Sequence, residues 1–84
     1  MKKTLSILVI VFLGSALSAQ TTVIPDNNFE QELINLGYDN IIDGGVLTSN
    51  INTLTTIDVS SSSIIDLTGI EDFTSLTELR CQNN

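Results

Sequence analysis

The chain has no histidine, one cysteine, and three lysine or arginine residues against ten aspartates and glutamates. Each scarcity removes a class of function. Without histidine, the commonest general base and the commonest transition-metal ligand are missing. A single thiol, Cys81, excludes an intrachain disulfide. A formal net charge of −7 repels phosphate backbones and anionic lipid surfaces, so no nucleic-acid partner is expected. Eighty-four residues allow one small domain at most. Without a disulfide staple, a domain of this size lies near the lower limit of independent stability.

What is present begins with an export pattern. Lys2 and Lys3 are followed by an apolar run, Leu5 to Leu13, broken only by Ser6, and then by the small-residue stretch Gly14 to Ala19. Charge, apolar segment and small-residue exit in this order describe a secretory signal peptide over residues 1–19. The run is well short of the ~20 residues that span a bilayer, so no membrane span is expected after cleavage. Ser18 and Ala19 both serve as cleavage positions, and the residues leave the choice open. No cysteine lies nearby, which excludes lipid attachment to a mature N-terminal thiol. Loss of Lys2 and Lys3 makes the charge two units more negative and leaves Arg80 as the sole cation.

Beyond the leader, Thr21 to Ile24 is β-prone and Pro25 ends it. A helix is predicted from about Asn27 to Leu36. Asp26 or Asn27 can cap it, and Asn27 with Glu30 has capping-box spacing. Phe29, Leu33 and Leu36 share one face, Glu30 and Glu32 favour the positive end of the helix dipole, and Gly37 provides a stop. Tyr38 to Gly45 reads as turns. Val46 to Ile51 reads as either a short second helix or an extended lead-in.

From Ile51 the chain repeats itself. Ile51 and Phe73, Leu54 and Leu76, Thr55 and Thr77, Ile57 and Leu79, and Val59 and Cys81 are each 22 residues apart. Within each unit the pattern is apolar-x-x-apolar-x-apolar, and the second closes as Leu76-x-x-Leu79-x-Cys81-x-x-Asn84.

This pattern resembles the leucine-rich repeat, in the 22-residue form of internalin-like bacterial surface proteins. Ile64 to Glu71 resembles that family's return segment. Ile24 to Phe29, the following helix and Val46 to Ser49 resemble the cap that precedes such repeats. The resemblance implies an α/β repeat: a helical N-terminal cap over residues 20–50, then the first coils of a solenoid with a parallel sheet over 51–84. Ser62 departs from the family's usual asparagine, which marks the first unit as degenerate. Because the chain stops as the second unit completes its strand, it is expected to be the start of a longer repeat protein.

In that architecture Leu54, Ile57 and Val59 point inward, as do Leu76, Leu79 and Cys81. Asn84 should turn inward and bond backbone groups of the turn. The residues between face outward, with Thr56 beside Glu78, Asp58 beside Arg80 and Ser60 beside Gln82. An Asp58–Arg80 ion pair is therefore expected. The resemblance implies that these six residues begin a concave face that binds a protein or glycan. Alternatively the segment is a structural cap, or it positions a downstream enzyme domain.

No catalytic group or cofactor is expected in the chain itself. Ser60 to Ser63 has no histidine, and in the mature chain no lysine, to activate a nucleophile. Asp66, Glu71, Asp72 and Glu78 provide carboxylates for paired-acid chemistry, but nothing indicates a cleft between them. Cys81 occupies the ladder position of Val59, where cysteine serves as a small hydrophobe. Asp39, Asn40 and Asp43 carry the oxygen ligands that calcium prefers. Their spacing does not fit an EF-hand, however, and turn chemistry accounts for them, so no metal is assigned and calcium is the lesser reading.

Overall fold

The computed structural model describes residues 20–84; the signal-peptide reading falls on residues 1–19, outside them. Strand β1 (Thr21–Val23) leads into helix α1 (Asn27–Asn35), strand β2 (Gly45–Leu47) and the short helix α2 (Thr48–Ile51). Strands β3 (Thr56–Asp58) and β4 (Glu78–Arg80) follow, with a 3-10 turn at Ile70–Asp72 between them. β1 and β2 pair antiparallel, and β3 and β4 pair parallel. Val46 to Ile51 thus takes both conformations left open by its pattern, strand first and helix second. Among the described residues no helix is long and apolar enough to cross a membrane.

Helix α1 starts and stops where local chemistry dictates. The Asp26 carboxylate accepts from the Asn28 and Phe29 backbone N–H groups at 2.9 and 3.0 Å, satisfying two donors that the first turn leaves free. This corrects the Asn27–Glu30 capping box: Asp26 holds the cap position, and Glu30 turns away to other partners. At the far end Gly37 has φ +92°, its N–H donates to the Ile34 carbonyl, and Tyr38 N–H donates to Leu33. These two bonds form a Schellman motif, which needs the left-handed residue that glycine supplies. Phe29 and Leu33 are fully buried, whereas Leu36, at the C-cap, is exposed. The apolar stripe therefore ends one turn earlier than its spacing predicts.

The core unites both halves of the chain. Ile24, Phe29, Leu33, Val46 and Ile51 pack with Ile57, Val59, Ile64 and Phe73, and Leu54, Leu76, Leu79 and Cys81 lie half-buried against them. Phe29 of α1 stacks on Phe73 with ring centroids 6.1 Å apart and planes 22° off parallel. Polar ties reinforce this joint. The second Asp26 oxygen accepts from Ile65 and Asp66 N–H at 2.9 and 3.0 Å, so one side chain caps the helix and anchors the segment returning from β3. Thr22 donates to Asp72 at 2.8 Å, and the Asn28 amide donates to the Ser63 carbonyl at 3.0 Å. Gly69 allows the closest approach, since a Cβ there would lie 2.5 Å from Ile24 Cδ1 and 2.7 Å from the Val23 carbonyl.

Candidate recognition face

The 22-residue offset is the register of the sheet. Thr56 lies opposite Glu78, Ile57 opposite Leu79, and Asp58 opposite Arg80. Beyond the strands the ladder continues: Thr77 N–H donates to Thr55, Val59 N–H to Arg80, and Ser61 N–H to Gln82, at 2.8, 2.8 and 3.0 Å. Strand alternation then sends Ile57 and Leu79 to the core and their neighbours to the opposite face. Thr56, Asp58, Glu78, Arg80 and Gln82 are exposed there, and Ser60 is half-buried.

Asn84 fixes the turn that follows β3. Its side-chain oxygen accepts from Ser62 and Ile64 N–H at 2.8 and 3.1 Å, and its amide donates to the Val59 and Cys81 carbonyls at 2.8 and 2.9 Å. Two donors and one acceptor are thereby used to join the turns leaving the two strands, as the repeat pattern predicts. Ser62 takes a different part, with its hydroxyl donating to the Ser60 carbonyl at 3.1 Å.

The expected Asp58–Arg80 ion pair does not form. Arg80 Nε donates instead to Glu78 Oε2 at 2.9 Å, two residues away on the same strand and the same face. The reason lies in Ser60, whose N–H and hydroxyl both donate to Asp58 Oδ1 and hold the short carboxylate toward its own turn. Those Ser60 bonds, the hydroxyl first, keep the Asp58 carboxyl below its ordinary pKa, with a smaller pull from the Arg80 charge. Glu78 has one more methylene and reaches the guanidinium without competition. Both partners of the ion pair are more than half or about half exposed, so its contribution is ~0.2–1 kcal/mol at most.

A second polar cluster lies away from this face. Glu30, Asp39 and Asp43 each place an oxygen within 4.8 Å of the other two. Glu30 is fully buried, with Oε1 accepting from Gly44 N–H at 2.9 Å and Oε2 from Asp43 N–H at 3.2 Å. Burial, and next the neighbouring Asp39 carboxyl, raise its pKa above the ordinary value. The sequence pattern points to Asp39, Asn40 and Asp43. The structure gathers the two aspartates, leaves the Asn40 side chain exposed, and adds Glu30, which capping logic had placed elsewhere. No local pattern marks Glu30, because its partners lie 13 and 14 residues downstream.

Over 60 residues, 71% of this chain, the sequence is 38% identical to internalin J of Listeria monocytogenes serotype 4b (strain F2365). The match supports a leucine-rich repeat relationship. This chain spans about 6% of that relative's length. No family model matches the chain, and no solved structure matches it.

Proposed function

We propose that this chain is an exported, non-catalytic leucine-rich repeat module that recognises a protein or glycan through the outward side chains of its parallel sheet. On this reading residues 20–50 form the cap, residues 51–84 form the first coils of a solenoid, and Thr56, Asp58, Ser60, Glu78, Arg80 and Gln82 begin the binding surface. The observation that carries it is the parallel pairing of β3 and β4 in a 22-residue register. That register stacks one coil's outward residues beside the next and builds a surface out of repetition. The exported location rests on the charge, apolar run and small-residue exit of the first nineteen residues.

Two coils present far less than the ~800 Å² per partner of a standard interface, so recognition draws on further coils. The test replaces Asp58, Glu78 and Arg80 with alanine in the full-length protein and measures binding to glycan arrays and candidate surface proteins. Loss of binding with an unchanged melting temperature supports the reading. Unchanged binding favours a second one, in which the segment only covers the end of the repeat core. The ties from Asp26 and the Phe29–Phe73 stack are the observations that favour this capping role.

A further inference from the structure

We propose that the outward face of β3 and β4 takes a lysine- or arginine-rich segment of a protein partner, seated on Asp58 and Glu78. The inference rests on the recognition reading above and narrows its partner class from protein or glycan to cationic protein. It is carried by the way the charged groups of this face are already engaged. Both Ser60 bonds go to Asp58 Oδ1, and Arg80 Nε donates to Glu78 Oε2. Asp58 Oδ2 and Glu78 Oε1 therefore receive no hydrogen bond from the described residues. Each stays open to a donor from outside, because every carboxylate oxygen can accept. Arg80, the cation of the face, is held by Glu78 and stands across the strand pair from Asp58. Two carboxylates against one guanidinium leave one net negative charge here, with the cation flanked by anions.

The other partner classes fit less well. Residues 20–84 hold ten carboxylates and one cation, so the surrounding field repels an anionic surface and draws in a cationic one. A sugar ring binds best against an aromatic side chain, and this face has none. Phe29 and Phe73 lie in the core, and Tyr38 follows α1 in the cap. An apolar partner finds no complement either, since Thr56, Asp58, Glu78, Arg80 and Gln82 are all polar and exposed. Ammonium and guanidinium groups supply what the face lacks, charged donors for two open anionic oxygens. Asp58 and Glu78 lie on a diagonal of the strand pair, with Cα atoms ~8 Å apart, a spacing that neighbouring basic side chains of one segment can span.

The test follows the backbone amides of the isotope-labelled chain by nuclear magnetic resonance with three probes. These are a dodecapeptide alternating lysine and alanine, the same peptide with glutamate for lysine, and the neutral sugar cellohexaose. The lysine peptide should shift Asp58, Ser60, Glu78, Arg80 and Gln82 at on the order of millimolar concentration, because two coils offer a small surface. The other two probes should leave these amides in place. Raising sodium chloride from about 0.02 M to about 0.3 M should weaken the response at least tenfold. Asp58→Asn combined with Glu78→Gln keeps side-chain shape at exposed positions and should also weaken it at least tenfold. Glu32→Gln combined with Glu71→Gln removes the same charge from α1 and the 3-10 turn, and should weaken it less than about threefold. Equal weakening by the two combinations, or shifts spread evenly over the carboxylate-bearing segments, means a diffuse field and overturns the proposal. A response to cellohexaose, or none to the lysine peptide, overturns it as well. The recognition reading survives any of these failures if the alanine variant of the full-length protein still loses its partner, and falls only if that binding is unchanged.

Discussion

The stack of Phe29 on Phe73 is the most direct test of whether the N-terminal helix and the repeat segment are one folding unit. The rings come from residues 44 positions apart, one on α1 and one just after the 3-10 turn, and they are 0% and 4% exposed. Truncating either to alanine costs ~3–5 kcal/mol for a buried phenylalanine. A described unit of about 65 residues has ~3–10 kcal/mol in total, so alanine consumes most of it. Leucine keeps much of the apolar volume and is the usable substitution. Each single change, Phe29→Leu and Phe73→Leu, should cost ~1–2 kcal/mol through lost contact area and imperfect refilling. The double variant should lose less than the sum of the two, because the ring–ring term, ~0.5–1.5 kcal/mol, disappears once. Urea unfolding followed by far-ultraviolet circular dichroism resolves this, since a slope near ~1 kcal/mol per molar turns each kilocalorie into a shift of about 1 M. Costs that add within ~0.3 kcal/mol refute the contact. Two separate transitions refute the stronger claim that the halves fold together.

Other positions give equally definite outcomes. Gly69→Ala adds a Cβ that meets the Val23 carbonyl at 2.7 Å at a residue with φ +107°, and should cost ~3 kcal/mol or more by urea titration. Asn84→Ala removes the acceptor for Ser62 and Ile64 N–H and the donors to Val59 and Cys81, and should cost ~1–3 kcal/mol, with the turn after β3 losing hydrogen-exchange protection first. Arg80→Ala should change stability by less than ~0.5 kcal/mol, since its partner Glu78 is half exposed; several kilocalories lost would mean that the pair is buried in solution. Asp26 has its pKa lowered, first by the Ile65 N–H and also by those of Phe29, Asp66 and Asn28. A depressed carboxylate stabilises the fold above its unfolded pKa, near 3.8, and loses that contribution as pH falls through the lower folded value. The parent should therefore exceed Asp26→Asn in melting temperature at pH 6, with the gap narrowing as pH falls below about 3.8; a gap of constant size from pH 6 down to the acid limit of folding refutes the linkage.

What the sequence disclosed and what it concealed divide along one physical line. The strand register was legible because backbone pairing repeats wherever hydrophobic residues recur every 22 positions, and Thr56, Asp58, Glu78 and Arg80 fall where that spacing puts them. Asn84 was legible for the same reason, its backbone partners being set by the coil. Side-chain choices with local competitors were not. Asp58 had two suitors, Arg80 across the strand pair and Ser60 two residues on, and the spacing shows only the first. The nearer one prevails, because its N–H and hydroxyl are already in place when the turn forms and no long side chain must be immobilised to reach them.

Glu30 shows the same competition with the opposite result. Capping-box spacing offered it the backbone at the start of its own helix, a local partner, but Asp26 takes the capping role from one position earlier. Glu30 is then free to pass beneath the helix to Asp43 and Gly44, contacts that exist only once the turns have folded back. That choice sets a carboxyl group inside the N-terminal elements, where burial disfavours its charged form. A buried carboxylate held only by N–H groups on one side is a costly arrangement unless something occupies the other. Asp39 lies on that other side and, after burial itself, raises the Glu30 pKa, so Glu30 favours the fold in its protonated form and that contribution is lost as pH rises through the raised value.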